Sequence, residues 1–334
     1  MKGEEINMKR LSLFDVPKES EPSIRNRGLL TLQILVLCIM ITGCRMVENN
    51  TNANSEKNYI PVQDYVGQGY PANEKQEAWD YIEEHRQDLE EYAIEWFKKT
   101  YNLDVKVNYI HPKKGAAIAT VESLLDSKLR MKIIMGLDKK NERVSGVNTS
   151  AMDAENNIMS YIVYKIYQEE FDRMGEFLKE LAEEENLYGL RDEYLYNMAS
   201  FASYSSNYYH MSVGYMDYKE TYEMFLNNPS ISVNELKISF EQEREEINQN
   251  DDIKDKSKYN PNIAVTLYSS TNDIDESKFE PIVDKLISQI YLPQFRYYII
   301  IYSNKININV DSTKYLIYPK AGSIPNYLSI NEEK

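Results

Sequence analysis

"LDVKVNYIHPKKGAAIATV", residues 103–121, decides the fold class of this chain. Its first eight residues alternate between apolar and polar side chains, which predicts a strand with one buried face and one wet face. HPKKG (111–115) has the composition of a turn, and AAIATV (116–121) predicts a returning strand. LRMKIIMGL (129–137) alternates again, so the three apolar segments predict an antiparallel meander.

Apolar residues at helical spacing predict one long helix before this meander in the sequence and one after it. The first runs from Asn73, which resembles a capping box together with Gln76, to about Thr100, and we expect the meander to pack on it. The second follows a polar loop around 141–150 and ends near Glu185. Further helical patterns lie near 191–201, 218–227 and 232–248.

The last third of the chain predicts a strand, a helix and a strand, at 263–269, 277–291 and 297–303. Such a βαβ order indicates that the two strands join one sheet, and we expect it to be the sheet of the meander. The predicted fold class is therefore α+β, with one mixed, largely antiparallel sheet packed against several helices. We expect a single domain over 59–318 and an irregular C-terminal tail over 319–334.

An apolar run near the N-terminus indicates where the protein resides. LLTLQILVLCIMI (29–41) is uncharged and follows two arginines, and it is too short for the roughly 20 residues of a spanning helix. It continues into ITGC (41–44), which resembles the bacterial lipobox. We therefore predict that residues 1–43 are a signal peptide and that Cys44 is the lipidated N-terminus of the mature protein. The alternative is an uncleaved membrane anchor.

The residues after this cysteine, 44–58, are polar and aperiodic, which predicts a flexible tether. The protein should then be lipid-anchored at the extracytoplasmic face of the cell membrane. Met8, followed by Lys9 and Arg10, is an alternative start, because codons for the residues before it can contain a ribosome-binding sequence.

Charge and cysteine content exclude several function classes. Lys and Arg total 38 against 53 Asp and Glu, and a net charge of −15 repels nucleic acid. The two cysteines, Cys38 and Cys44, both lie in the first fifty residues, so the rest of the chain can form neither a disulfide nor a thiolate metal site.

Sequence signatures of catalysis are missing. The chain contains no G-x-S-x-G, S-x-x-K, H-E-x-x-H, P-loop or EF-hand pattern. His85, His111 and His210 have no metal-ligand spacing, so we predict no metal site, no cofactor and no catalytic residue. A pair of carboxylates that cleaves a glycosidic bond remains an open alternative. So acidic a chain offers too many such pairs for one to be named.

Two stretches combine tyrosines with small polar residues. In YIPVQDYVGQGY (59–70), the candidate binding residues are those whose polar groups could contact a ligand at the edge of a pocket: Gln63, Asp64, Tyr65 and Gln68. The alternative is a structural segment whose glycines supply turn conformations.

In SFASYSSNYYHMSVGYMDY (200–218), tyrosines surround a histidine, and the candidate binding residues are Tyr208, Tyr209 and His210. A tyrosine offers a flat face and a hydroxyl to a sugar or a peptide. The alternative is packing between the helices and the sheet.

Several segments resemble, in the same order, the Gram-positive lipoproteins of the domain-of-unknown-function 1672 family. They are YIPVQDYVGQGY (59–70), DVKVN (104–108), VES (121–123), HMSVGYMDYKETYEMFLNNPSIS (210–232) and IIIYSN (299–304). The resemblance implies lipidation at Cys44. It implies no activity and no site residue, because the family carries no assigned function.

Two functional hypotheses remain. The first is a non-enzymatic envelope lipoprotein that binds a small ligand or an envelope protein close to the membrane. The alternative is a carboxylate-dependent envelope hydrolase that acts on cell-wall glycan.

Overall fold

The computed structural model describes the chain in ten stretches: 59–67, 74–138, 143–147, 153–197, 203–271, 277, 279–289, 292–293, 295–307 and 326–329. Its contacts divide the chain into Met1–Lys57 and Asn58–Lys334, and the described residues all belong to the second unit. The predicted signal peptide (1–43), Cys44 and the tether lie outside the described residues.

The predicted first helix is two helices, α1 (Gln76–Glu84) and α2 (Arg86–Tyr101). They are separated at His85, whose φ of −107° and ψ of 16° depart from helical values, and whose ring packs 4.3 Å from that of Tyr81. The predicted capping box is wrong, because Lys75 precedes α1 and no side chain caps it. Helix α2 ends where Asn102 adopts the left-handed conformation with φ of 55°.

The meander is confirmed and carries a fourth strand. Its strands are β2 (Val105–Lys113), β3 (Ala116–Ser123), β4 (Arg130–Asp138) and β5 (Arg143–Val147), paired antiparallel in that order. Gly115 allows the β2–β3 turn with φ of 74°. Strand β5 lies in the segment that was expected to be a polar loop.

The second long helix is also divided, into α3 (Asp153–Ile166) and α4 (Gln168–Glu185), with Tyr167 between them. Every side chain from 157 to 164 is buried, which is the burial expected of a helix in the middle of a core. Helix α4 instead buries one stripe, which includes Phe171, Met174 and Leu178, and exposes an acidic face.

The chain then alternates short strands with helices. These elements are β6 (Leu187–Tyr188), α5 (Asp192–Asn197), β7 (Tyr204–Ser205), β8 (Tyr209–Ser212), a 3-10 helix (Tyr215–Tyr218), α6 (Lys219–Asn227), α7 (Val233–Gln249) and another 3-10 helix (Lys256–Tyr259); a short 3-10 helix also lies near the start of the described chain (Val62–Asp64). Helix α7 begins with a capping box between Ser232 and Glu235.

The predicted βαβ unit is confirmed. Strand β9 (Asn262–Ser269), helix α8 (Phe279–Ile287) and strand β10 (Arg296–Tyr302) follow in order, and the two strands pair in parallel. The sheet order is β12-β10-β9-β8-β7, with β6 also paired to β9.

Two further strand pairings involve the ends of the described chain. Strand β12 (Asn326–Ser329) pairs with β10, so the tail expected to be irregular over 319–334 contains a strand. Strand β1 (Tyr59–Ile60) pairs with β11 (Ile306–Asn307).

The α+β class is confirmed, but the expectation of one sheet is wrong. The meander and the βαβ unit belong to different sheets. Helix α3 contacts both, because it packs against β4 of the first sheet and against β7 and β8 of the second. One large apolar cluster joins most of the elements, and a second, smaller cluster contains Tyr65 and Tyr194. Within the part of the chain that the structure describes, no helix has both the length and the apolar character needed to cross a membrane.

Candidate functional site

The leading segment, residues 59–67, is fixed by polar contacts to its backbone. Three side chains from distant parts of the chain make them: Asn304 Oδ1 accepts from Val62 N at 2.8 Å, Arg191 Nη1 donates to Gln63 O at 3.0 Å, and Asn197 Nδ2 donates to Val66 O at 3.0 Å. Pairing of β1 with β11 adds a fourth attachment.

The structure describes three of the four candidate residues of the leading segment. Tyr65 is 1% exposed and packs in a small apolar cluster, with its ring 5.4 Å from that of Tyr194. Gln63 and Asp64 are exposed, and Gln68 lies outside the described residues. The geometry favours a structural role for this segment.

The second candidate stretch forms the tyrosine hairpin, residues 204–212, in which β7 and β8 pair antiparallel. Two of its tyrosines point into the core. Tyr204 stacks on Tyr164 with 4.4 Å between ring centroids, and Tyr209 stacks on Phe171 at 5.7 Å. Burial raises the pKa of both hairpin tyrosines, so both stay neutral at physiological pH.

Tyr208 lies at the turn of the hairpin and is half-buried. Its ring lies over Gly189, where a Cβ would come within 2.5 Å of Tyr208 Cε1, so only glycine permits this approach. Burial raises the pKa of Tyr208, and the negative charges of Glu183, Asp192 and Glu176 raise it further. The phenol is therefore neutral, and the negative charges of three carboxylates act on it.

His210 lies on the opposite face of the hairpin from the buried tyrosines. Its Nδ1 is 2.8 Å from the hydroxyl oxygen of Ser205, the residue paired with it across the two strands. Burial lowers the pKa of His210 to about 4, so the ring is neutral at pH 7.

A groove of about 1170 Å³ runs between helix α4 and the tyrosine hairpin. Residues of α4 between 169 and 180 form one wall, and residues 204–209 form the other. Arg130, at the start of β4, and Lys128, in the turn before it, also line the groove. Phe177 and Tyr208 give it aromatic surface. The groove therefore combines charge of both signs with aromatic rings.

Lys128 and Asp172 meet in this groove. The Lys128 ammonium is 3.2 Å from Asp172 Oδ1 and also contacts the hydroxyl of Tyr164, which donates to the same carboxylate oxygen at 2.9 Å. Burial raises the pKa of Asp172, but the hydrogen bonds from Tyr164 and Lys128 outweigh it, so the pKa is lowered overall. Asp172 is thus held in its ionised form.

The structure brings together only part of what the sequence predicted. Tyr208, Tyr209 and His210 share one hairpin, and Tyr208 and Tyr209 line the groove. Sequence reasoning missed Lys128 and Asp172, which are 44 positions apart. Nothing in the local sequence marks them, because each resembles an ordinary surface charge. Among the described residues, no group of histidine and carboxylate side chains is arranged to hold a metal ion.

Fold and groove together define an α+β protein with two large sheets, a two-stranded β1–β11 sheet and a mixed-charge, tyrosine-walled surface groove. The chain belongs to the DUF1672 family, described as a protein of unknown function, whose family model matches residues 52–315. The structure is similar to the crystal structure of a DUF1672 family protein from Staphylococcus aureus subsp. aureus Mu50, with a TM-score of 0.64 and 15% identity over 82% of this chain and 99% of that chain. No curated protein matches the sequence. The family predicted from the motifs is confirmed, and the crystal structure supports the fold.

Proposed function

We propose that this protein is a lipid-anchored, extracytoplasmic binding protein whose ligand occupies the groove between α4 and the tyrosine hairpin. The observation that carries the proposal is the groove itself. Its volume of about 1170 Å³ exceeds the roughly 300–1,000 Å³ of most small-molecule pockets. An open groove of this size suits an extended ligand or a segment of a partner protein.

The chemistry of the groove supports binding over hydrolysis. A carboxylate-dependent glycosidase needs one carboxylic acid that stays protonated near neutral pH, which requires a raised pKa. In the groove, the pKa of Asp172 is lowered instead. Asp217, whose pKa burial raises, is not one of the described residues that line the groove.

The groove can be tested by filling it from Gly175. This glycine lines the groove in the middle of α4, and a Cβ added there meets no atom within 4 Å. Gly175→Trp should place an indole in the groove, whereas Gly175→Ala should leave it open and stabilise the helix by about 0.5–1 kcal/mol. The measurement is photo-cross-linking in intact cells, with a photoreactive amino acid introduced at Glu180.

We expect one set of cross-linked species with the unaltered groove and with Gly175→Ala, and its loss with Gly175→Trp. Identical cross-linking in all three proteins, or no cross-linked species in any of them, would contradict a binding role for the groove. Release of fragments from purified cell wall by the Gly175→Ala protein but not by Gly175→Trp would establish the hydrolase instead.

The membrane anchor is a separate part of the proposal and rests on the lipobox at 41–44. Cys44→Ser should abolish incorporation of a fatty-acid probe, because a hydroxyl cannot form the thioether, and the precursor should accumulate. Cys38→Ser is the matched control and should mature normally. Labelling of the Cys44→Ser protein, or loss of label from Cys38→Ser, would show that the anchor is assigned to the wrong residue.

A further inference from the structure

Strand β7 (Tyr204–Ser205) is an edge of the second sheet within the described stretches of the chain. Its only strand neighbour there is β8, with Ser205 opposite His210 and Tyr204 opposite Met211. Ser206 N donates to Tyr209 O at 2.8 Å, so the pair next to Ser205 is hydrogen-bonded. Because such pairs alternate along an antiparallel ladder, Ser205 occupies a position whose N–H and C=O point away from β8.

The backbone of Ser205 is open at this edge. Within the described part of the chain, its N–H and C=O make no hydrogen bond, and the contact of this residue is through its side chain, to His210. Residues 204–206 all line the groove. An edge strand with free donors and acceptors is a template for another strand, and here the template forms a groove wall.

Carboxylates and an aromatic ring lie together in the groove. Glu176 and Asp192 line it with Tyr208, and their negative charges raise the pKa of the phenol. The basic side chains that line the groove are Lys128, which contacts Asp172, and Arg130, Arg173 and Lys179. Residues 169 and 180, the first and last of α4 that line the groove, are eleven positions apart, or about 16 Å along a helix at 1.5 Å per residue. An aromatic face and carboxylates together suit a cation, so Tyr208 is the position for a cationic group of a ligand.

We propose that the groove binds an extended peptide segment, which adds as a strand to the open edge of β7 and places a cationic side chain against Tyr208 and its carboxylates. This rests on the proposed function, in which the groove is the ligand site. A peptide fits because its N–H and C=O groups alternate at the spacing of the strand edge, so it can pair with Ser205 while its side chains reach the charged walls. Five to six residues span about 16–20 Å, which matches the distance along α4.

The test uses the purified full chain in detergent and a fluorescent hexapeptide of alternating valine and threonine with one lysine, blocked at both ends. Fluorescence anisotropy measures the dissociation constant. Replacing the lysine by glutamate should weaken binding at least tenfold, and so should N-methylation of alternate backbone amides. Equal binding of either altered peptide, or no binding of the lysine peptide, overturns the proposal.

Substitutions of Ser205 test the strand edge from the side of the protein. Ser205→Pro removes the outward N–H without removing a ladder hydrogen bond, and proline is tolerated at such edge positions. Ser205→Ala is the matched control, because it loses only the hydroxyl. We expect the alanine variant to bind within about twofold of the unaltered protein, and the proline variant to bind at least tenfold more weakly. Equal affinities would contradict strand addition; if Ser205→Pro fails to fold, the N-methylated peptide on the unaltered protein decides the question.

The contribution of the carboxylates beside Tyr208 is tested by Glu176→Gln, because Glu176 lines the groove. The affinity for the lysine peptide should fall at least threefold, and Glu95→Gln, on the exposed face of α2, should leave it unchanged. If soluble wall glycan binds to the groove and is blocked by Gly175→Trp, whereas the lysine peptide does not bind, the proposed function stands and strand addition is wrong. If Gly175→Trp affects neither ligand, the groove is not the site.

Discussion

The leading segment and the tyrosine hairpin have similar compositions and different surroundings. Both combine tyrosines with small polar residues, and both are candidate binding stretches. In the leading segment, the backbone is held by Asn304, Arg191 and Asn197, and Tyr65 is buried. In the hairpin, the backbone of Ser205 is open. The comparison teaches that two stretches of similar composition can differ in whether their backbone polar groups are engaged, which composition does not reveal.

The largest expected effect on the unfolding free energy comes from a substitution in the leading segment. Tyr65→Ala removes a ring that is 1% exposed, and by analogy with other large aromatic truncations it should cost about 3–5 kcal/mol of unfolding free energy. Chemical denaturation measures this loss. A cost below about 1 kcal/mol would mean that Tyr65 does not hold the segment in place.

The second prediction concerns protonation of the hairpin. The pKa of His210 is lowered to about 4 by burial, so between the unfolded value of 6.5 and the folded value the unfolded chain binds more protons. Stability should therefore be fully present above pH 6.5 and fall as the pH decreases towards 4, by on the order of 3 kcal/mol.

Denaturation midpoints across this pH range measure the effect of His210. His210→Asn keeps an acceptor for the Ser205 hydroxyl and removes the titrating group, so its stability should fall less over the same range. Parallel pH profiles for the two proteins would show that His210 is not the group responsible.

A third prediction compares two asparagines. Asn304→Ala leaves the buried N–H of Val62 without its acceptor and should cost about 1–3 kcal/mol. Asn207→Ala removes donations to Leu190 O and Asp192 at the rim of the groove, and it should cost less than about 1 kcal/mol. Thermal unfolding of both variants provides the comparison, and a larger loss for Asn207→Ala would reverse the roles of the two segments.

The last prediction concerns Tyr208, where stability should change little and binding should respond most. Tyr208→Ala removes a half-buried ring and should cost about 1 kcal/mol, while affinity for the lysine peptide falls at least tenfold. Tyr208→Phe keeps the aromatic face and should retain most of the affinity. Loss of affinity in both variants would indicate that the hydroxyl, rather than the ring, contacts the ligand.

The elements of the fold were largely predictable, because each depends on local periodicity. The strands of the meander and the βαβ unit appear where alternation and apolar runs predicted them, but the turn predicted at 111–115 is wrong in part, because β2 continues to Lys113. The helix breaks at His85 and Tyr167 were not predicted, since the apolar stripes continue through both residues. Strand β5 was missed because residues 143–147, RVSGV, lie in a polar region, and pairing with β4 determines their conformation.

The candidate site was predictable only in its hairpin. Tyr208 and Tyr209 stood out because tyrosine is concentrated there. The opposite wall, helix α4, was identified only as an amphipathic helix. Its contribution depends on the packing of Phe171 against Tyr209 and on the approach of Lys128 to Asp172.

The sequence by itself determined the α+β class, the family and most of the longer strands and helices among the described residues, and it carries the motif that predicts an anchor at Cys44. Only the tertiary structure decided that helix α3 separates two sheets, that Tyr65 is buried while Tyr208 lies at a groove, and that the edge of β7 is open. The physical reason is the range of the interactions involved. Periodicity and turn chemistry act over a few residues, whereas sheet edges, grooves and buried hydrogen bonds are made by segments that meet only when the core packs.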